Sequence, residues 1–241
     1  MLGLVLGQAA PAIAASFSVD PTQIRLSADT PSALLTIRNE STHAVRMQLT
    51  AAAWSQSLRG EMELQPTGDI VFFPALFTLA PGQDRKIRVG TTASFGGVER
   101  SYRLIVEELP PDPSQVPPGS GVQMLTRISL PVFLRPASPR AAAALQAVGL
   151  VDGSVSFRLQ NTGTVHVTPE AVRVRGFAAG GETVIDRDIA GWYVLAGSAR
   201  VFTLGISPPD CSRIRSLAIQ VTVNGTVLSE RLEAPGGTCG R

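Results

Sequence analysis

The chain lacks most of the residues on which enzyme and metal chemistry depend. It has 241 residues, of which two are histidines and two are cysteines. Two cysteines without clustered histidines cannot supply the ligands of a structural zinc site. The sequence has no Gly-x-Ser-x-Gly elbow, Walker loop or His-Glu-x-x-His helix. His43 and His166 fall in turns, where we expect structural surface residues. We therefore predict no catalytic residue, no metal, no cofactor and no enzymatic activity.

Aromatic residues and clustered charges are also scarce. Aromatic residues make up 5% of the chain, and its formal net charge is +2 with the charged residues scattered along it. Scattered charge argues against nucleic acid as a partner. No apolar run reaches the roughly 20 residues of a membrane-spanning helix, so we expect no membrane insertion of the mature chain.

The first fifteen residues have the pattern of an export signal. They contain a short apolar region and end in an Ala-x-Ala pattern at Ala12 and Ala14. The positively charged start that such signals usually have is missing, which leaves open a start codon further upstream. We predict a signal peptide over residues 1–15; a floppy apolar N-terminus is the alternative.

The two cysteines, Cys211 and Cys239, lie close to the C-terminus. In an exported protein such a pair typically forms a disulfide. The chain-entropy model assigns about 3–4 kcal/mol of stabilisation to a disulfide that closes a loop of this size. Two free buried thiols are the alternative.

What the chain does contain is many short apolar runs separated by Gly, Pro, Asn and Ser, which is typical of strands joined by turns. A weak internal repeat indicates two similar domains: Leu35 to Val45 and Phe157 to Val167 each have a strand that ends at Asn and a turn. We predict an all-β fold of two immunoglobulin-like β-sandwich domains, the first over residues 16–136 and the second over 137–241. A boundary within the loop 109–121 would leave the first sandwich one strand short.

Residues 122–134 are predicted to form one unusually long strand, since strands typically have about 5–6 residues. Its even-numbered positions are mostly apolar, and so are the odd-numbered Leu125 and Phe133. A half-buried strand needs only one apolar face. The second apolar face of this strand must therefore be buried by another segment or by another protein. We assign Leu125 and Phe133 to the core of the chain itself and expect the even-numbered residues to contact a partner. The alternative is that all of them are ordinary core residues.

Several motifs, in their order and spacing, resemble the periplasmic chaperones of the chaperone/usher pilus pathway. The motifs are Asp20-Pro-Thr22, Asn39, Phe77-Thr-Leu-Ala-Pro-Gly82, Arg100-Ser-Tyr102-Arg103, Glu108-Leu-Pro-Pro111, Leu130-Pro-Val-Phe133 and Arg135-Pro136. The Leu-Pro-Val-Phe variant is closer to the archaic branch of that family than to the classical one. The resemblance covers essentially the whole mature chain, and it implies two immunoglobulin-like domains set in an L shape and a periplasmic location.

The resemblance also implies a mechanism. In that family the chaperone lends a strand to a pilus or surface-fibre subunit that lacks one, which is donor-strand complementation, and delivers the subunit to an outer-membrane usher. The implied donor residues in this chain are Val122, Met124, Thr126, Ile128 and Leu130.

The family holds the subunit's C-terminal carboxylate with a basic pair in the cleft between the domains. The matching positions in this chain are Gln23 and Pro131, so neither usual residue is present. Arg25 and Arg127 are the candidate replacements, because arginine binds carboxylates through two parallel hydrogen bonds. Two exposed cations without this role are the alternative.

Two other functions are compatible with an exported β protein. The first is a secreted two-domain binding module, such as an adhesin or carbohydrate binder, which needs exposed aromatics on loops; Trp54, Trp192 and Tyr193 fall in strand-like contexts. The second is a structural subunit of the fibre itself, which needs an N-terminal donor extension, whereas Phe17 to Ser27 is predicted to be an ordinary strand.

Overall fold

The computed structural model describes residues 16–110 and 124–233. Within these ranges it contains seventeen strands, β1 to β17, and one short helix, α1. The predictions for the signal peptide, Val122 and Cys239 concern residues outside the described ranges.

The chain divides into two compact units. The first comprises Met1–Ala53, Pro66–Ser94 and Tyr102–Phe133, and the second comprises Trp54–Gln65, Phe95–Ser101 and Leu134–Arg241. The second unit therefore includes two short segments from the N-terminal half of the chain. The domain boundary expected at Pro136 stays a prediction.

The strands of the N-terminal half form two sheets. They are β1 (Phe17–Asp20), β2 (Ile24–Leu26), β3 (Ser32–Asn39), β4 (Val45–Gln56), β5 (Met62–Pro66), β6 (Ile70–Phe73), β7 (Leu76–Leu79), β8 (Asp84–Thr91), β9 (Arg100–Leu109) and β10 (Arg127–Leu134). One sheet has the strand order β1-β3-β8-β6. The other has the order β2-β10-β9-β4-β5, and β7 also pairs with β4.

Alternating burial explains why these sheets enclose a core. Side chains of successive strand residues point to opposite faces. In β3, Leu35 and Ile37 are completely buried, whereas Arg38, which follows Ile37, is exposed. The antiparallel partner β8 places the buried Ile87 directly opposite Leu35. Each sheet therefore has one apolar face to bury against the other.

The C-terminal half repeats this construction. Its strands are β11 (Ala143–Val151), β12 (Ser154–Asn161), β13 (Pro169–Phe177), β14 (Thr183–Ile189), β15 (Ala199–Gly205), β16 (Ser216–Val223) and β17 (Thr226–Glu233). They form one sheet in the order β11-β12-β15 and another in the order β14-β13-β16-β17. Phe157, Val174 and Ile219 are among the fully buried residues of the shared core.

The internal repeat is confirmed at its two asparagines, which are both buried and make the same hydrogen bonds. Asn39 Nδ2 donates to His43 O and Leu79 O, and Asn161 Nδ2 donates to Val165 O and Val194 O. Each Oδ1 accepts an N–H two residues further on. Val165, and not His166, therefore occupies the place of His43 in the repeat.

Candidate functional site

The segment that leads into β10 lies in the sheet of β2 and β9. β10 is placed between these two strands, but β2 has three residues whereas β10 has eight. β2 can therefore cover only part of the adjacent edge of β10.

Exposure changes along this segment from its start to its end. Met124 is 55% exposed and Leu125 is 44% exposed, while Leu130 is only 3% exposed. Ile128 is half-buried, and Phe133 is fully buried as expected. The predicted division between even and odd positions is thus wrong at Leu125, which is not in the core, and at Leu130, which is.

The register with β9 gives the physical reason. Glu108 N donates to Thr126 O at 2.9 Å, so Thr126 lies opposite Glu108. Counting along two antiparallel strands from this pair places Leu130 opposite Leu104, whose side chain is fully buried. Leu130 therefore belongs to the core of this unit, and we remove it from the donor residues.

The predicted strand over residues 122–134 is also too long at its described start, because β10 begins at Arg127 and residues 124–126 lie outside it. At this point the N–H of Thr126 donates to the side chain of Glu108, at 3.1 Å from Oε2. A side-chain acceptor thus binds this N–H directly before the first residue of β10. The sequence prediction missed this role of Glu108 because nothing distinguishes it in the sequence from the adjacent, partly exposed Glu107.

The two candidate anchor residues both belong to the first unit, and each already has a partner there. Arg25 is exposed on β2 and its Nη2 donates to Gln23 Oε1 at 3.1 Å. Arg127 Nε lies 3.0 Å from Glu107 Oε1, and its side chain is 61% exposed. Both guanidinium groups remain accessible to a carboxylate, although one bound by Arg127 would compete with Glu107.

Cys211 is the buried residue of the helix α1 (Pro208–Arg213), and its pairing with Cys239 stays a prediction. His166 is not a surface residue, because its Nδ1 lies 2.6 Å from the buried Glu99 Oε1 and its side chain is 15% exposed.

Among the described residues, no group of three or more His, Cys, Asp and Glu side chains could hold a metal ion. In the same ranges, no helix is long and apolar enough to cross a membrane.

Comparison with known proteins decides what this architecture is. The family model described as "Pili and flagellar-assembly chaperone, PapD N-terminal domain" matches residues 16–140, which is more than half of the chain. The chain belongs to this family. It is a pilus-assembly chaperone of the PapD type, which is a non-enzymatic folding chaperone. The predicted family is confirmed, and membership decides against the adhesin and fibre-subunit alternatives.

Solved structures of such chaperones share the fold. A chain of the CsuC–CsuE complex from Acinetobacter baumannii is 18% identical over 78% of this chain and 89% of its own, with a TM-score of 0.57. The Escherichia coli chaperone DraB is 18% identical over 93% of this chain and 98% of its own, with a TM-score of 0.55. A chain of the Salmonella enterica SafA–SafB complex is 15% identical over 92% and 99%, with a TM-score of 0.59. None of the curated proteins matches the chain.

These likenesses confirm the predicted all-β fold of two immunoglobulin-like domains. The PapD-type chaperone thus presents one feature that an ordinary sandwich does not need. This feature is the exposed apolar segment at Met124 and Leu125, directly before β10.

Proposed function

We propose that this chaperone binds pilus or surface-fibre subunits by donor-strand complementation, with Met124, Thr126 and Ile128 on the donated segment, and delivers them to an outer-membrane usher. The observation that carries the proposal is the exposed apolar segment before β10. A subunit strand that paired there would cover Met124 and the rest of Ile128 and would bond to main-chain groups that β2 is too short to reach.

The free energy that such a contact can contribute is comparable with the free-energy cost of association. Burying the exposed halves of Met124 and Ile128 together with the predicted Val122 would contribute about 3–6 kcal/mol, at roughly 1.5–3 kcal/mol for a fully exposed side chain. Each main-chain hydrogen bond adds about 1 kcal/mol net. Association costs an estimated 4–15 kcal/mol or so, so the apolar side chains decide the affinity as much as the hydrogen bonds do.

Two of the similar structures support this proposal by what they contain. One is a pre-assembly complex of a chaperone with a tip adhesion subunit, and the other is a pilin in complex with a chaperone. The first comes from archaic chaperone-usher pili, which supports placing this chaperone in the archaic branch.

Co-expression with a candidate subunit encoded in the same operon tests the proposal. We expect Met124→Asp and Ile128→Asp to abolish one-to-one co-purification and to reduce soluble subunit, because a buried unpaired carboxylate is costly. Leu34→Asp is the matched control, since Leu34 is a 50% exposed residue on the other sheet of the first unit. Wild-type recovery of the subunit by both donor variants would remove this segment from the binding site.

We also propose that Arg25 and Arg127 hold the subunit's terminal carboxylate. Arg25→Ala and Arg127→Ala should each weaken the complex with the subunit, by roughly tenfold for a lost charge-assisted bond of about 1.4 kcal/mol. A subunit with an amidated C-terminus should bind wild-type chaperone and these variants equally. Wild-type affinity of both variants for the unmodified subunit would exclude them as the anchor.

Export to the periplasm and a Cys211–Cys239 disulfide are parts of the same proposal. Cys211 is 1% exposed, which fits a structural cysteine in an oxidising compartment. Mass spectrometry of the protein from a periplasmic extract, digested without reduction, should give an N-terminus near Ser16 and a cross-linked peptide of the two cysteines. A free thiol on Cys211 would contradict the disulfide.

A further inference from the structure

A buried carboxylate takes the place of a backbone acceptor where β10 begins. Glu108 is 9% exposed, although it carries an ionisable group. Its N–H donates to Thr126 O at 2.9 Å, while the N–H of Thr126 donates to Glu108 Oε2 at 3.1 Å. In a regular antiparallel pair of this kind, the two residues exchange both bonds through their backbones. Here the second bond goes to a side chain.

An apolar side chain at this position would avoid the free-energy cost of burying a carboxylate. Glu108 lies directly opposite the fully buried Met47 on β4 and two residues from the fully buried Val106 on β9. Burying a carboxylate costs free energy unless it is hydrogen-bonded, and a backbone N–H to a carboxylate is a strong, charge-assisted bond. The contact that offsets the cost is the one to Thr126, so the position of Thr126 is what the carboxylate controls.

Fixing Thr126 in this way determines how the residues before it leave the sheet. Counting from the Glu108–Thr126 pair, the residue opposite Met124 is Pro110, which has no N–H to offer. The pairing of β9 with this segment therefore ends within two residues. Met124 and Leu125 lie beyond that end with about half of each side chain exposed.

We propose that Glu108 is a positioning residue for subunit binding. Its carboxylate holds the N–H of Thr126 where the pairing with β9 ends, and thereby keeps Met124 and Leu125 outside the core of this unit, where a subunit strand can pair with them. This inference rests on the proposed function of the segment and names the residue that prepares it.

The neighbouring carboxylate provides an internal control. Glu107 contacts Arg127 on the same strand pair at 3.0 Å, but its side chain is 32% exposed and it bonds to a side chain instead of the backbone. Glu107→Gln therefore removes the same charge one residue away without touching the amide of Thr126.

The test compares Glu108→Gln, which keeps an acceptor oxygen, with Glu108→Met, which has none. We expect the amide of Thr126 to exchange with deuterium roughly tenfold faster in the Met variant, as for the loss of about 1.4 kcal/mol of protection, and near the wild-type rate in the Gln variant. Affinity for the co-expressed subunit should fall in the same order, while Glu107→Gln keeps the wild-type exchange rate at Thr126. Denaturant midpoints verify that each variant is folded.

The outcomes separate this inference from the proposed function. If Met124→Asp abolishes subunit binding while Glu108→Met keeps wild-type exchange and affinity, strand donation stands and the role of Glu108 is refuted. Equal losses in the Gln and Met variants would also refute it, because the acceptor oxygen would then not matter. If Met124→Asp binds the subunit normally, the proposed function itself fails. Should the Met variant not fold, Glu108→Ala, which also lacks the acceptor oxygen, takes its place with the same expected exchange rate at Thr126.

Discussion

Buried polar side chains fix the turns of both halves of the chain. Asn161 is 1% exposed and bonds two carbonyls with Nδ2 and one N–H with Oδ1. The sequence repeat located this residue and its partner Asn39, because Asn at a strand end followed by Ser, Thr or Gly is a local signal. The distant acceptors, Leu79 O and Val194 O, were not predictable, since they depend on how non-adjacent segments pack.

Asn161→Ala should therefore destabilise the protein by about 2–4 kcal/mol, because it leaves the carbonyls of Val165 and Val194 without their donor. Asn161→Asp is the comparison, as it keeps the acceptor for the Gly163 N–H but places a carboxylate oxygen against the carbonyls of Val165 and Val194. The free energy of unfolding in urea measures both. A loss below about 0.5 kcal/mol for the alanine variant, the usual range of surface changes, would show that the two bonds are not structural.

A second residue-scale contact joins Glu99 to His166. Glu99 Oε1 lies 2.6 Å from His166 Nδ1 and accepts the His166 N–H at 2.8 Å. A double-mutant cycle of Glu99→Gln and His166→Ala should give a coupling of about 1–3 kcal/mol, as for contacting residues in one network. The exposed pair Arg213–Glu182 is the matched control and should couple by less than about 1 kcal/mol. Equal coupling of the two pairs would contradict a structural role for the buried contact.

At the scale of elements, sequence patterns predicted most strands and failed where one side chain redirects the backbone. β6 (Ile70–Phe73) is a short apolar run between turns, and such a run is sufficient to indicate a strand. The start of β10 was predicted too early, since alternation cannot reveal that Glu108 will bond to Thr126. The helix α1 was missed although Ser207, which caps it by accepting the Asp210 N–H, and Pro208 at its first turn form a recognisable start signal.

The hairpin of β4 and β5 gives an element-scale prediction. In its turn, Gly60 has φ +80, and a Cβ there would lie 2.7 Å from Arg200 Nε. Beside it, Val201 N donates to Leu58 O at 2.7 Å, and partial burial lowers the pKa of the Arg200 guanidinium. The tip of the hairpin is thus packed on β15.

Gly60→Ala should cost about 1–2 kcal/mol of unfolding free energy, because alanine is strained at positive φ and must displace Arg200. Gly68→Ala is the control, since no heavy atom lies within 4 Å of the added Cβ and its φ is not in the strained range. Thermal or urea unfolding of both variants checks this. A Gly60 variant as stable as the Gly68 variant would mean that the turn does not need glycine.

At the scale of the whole molecule, the two immunoglobulin-like domains were predictable from the repeat and from the order of the family motifs. What the sequence could not supply is which apolar residues of the donor segment stay in the chain's own core. That depends on the register with β9, which places Leu130 opposite Leu104 and leaves Met124 exposed. The exposed Met124 is therefore the part of this segment that the proposed subunit strand would cover.

Deuterium exchange of this chaperone, alone and in a one-to-one complex with the co-expressed subunit, tests the proposed strand donation most directly. We predict that the largest gain of amide protection on binding falls on peptides covering residues 124–129. The four-stranded sheet around Leu34 should change little. Protection that appears elsewhere, with residues 124–129 exchanging as fast in the complex as in the free chaperone, would contradict strand donation by this segment.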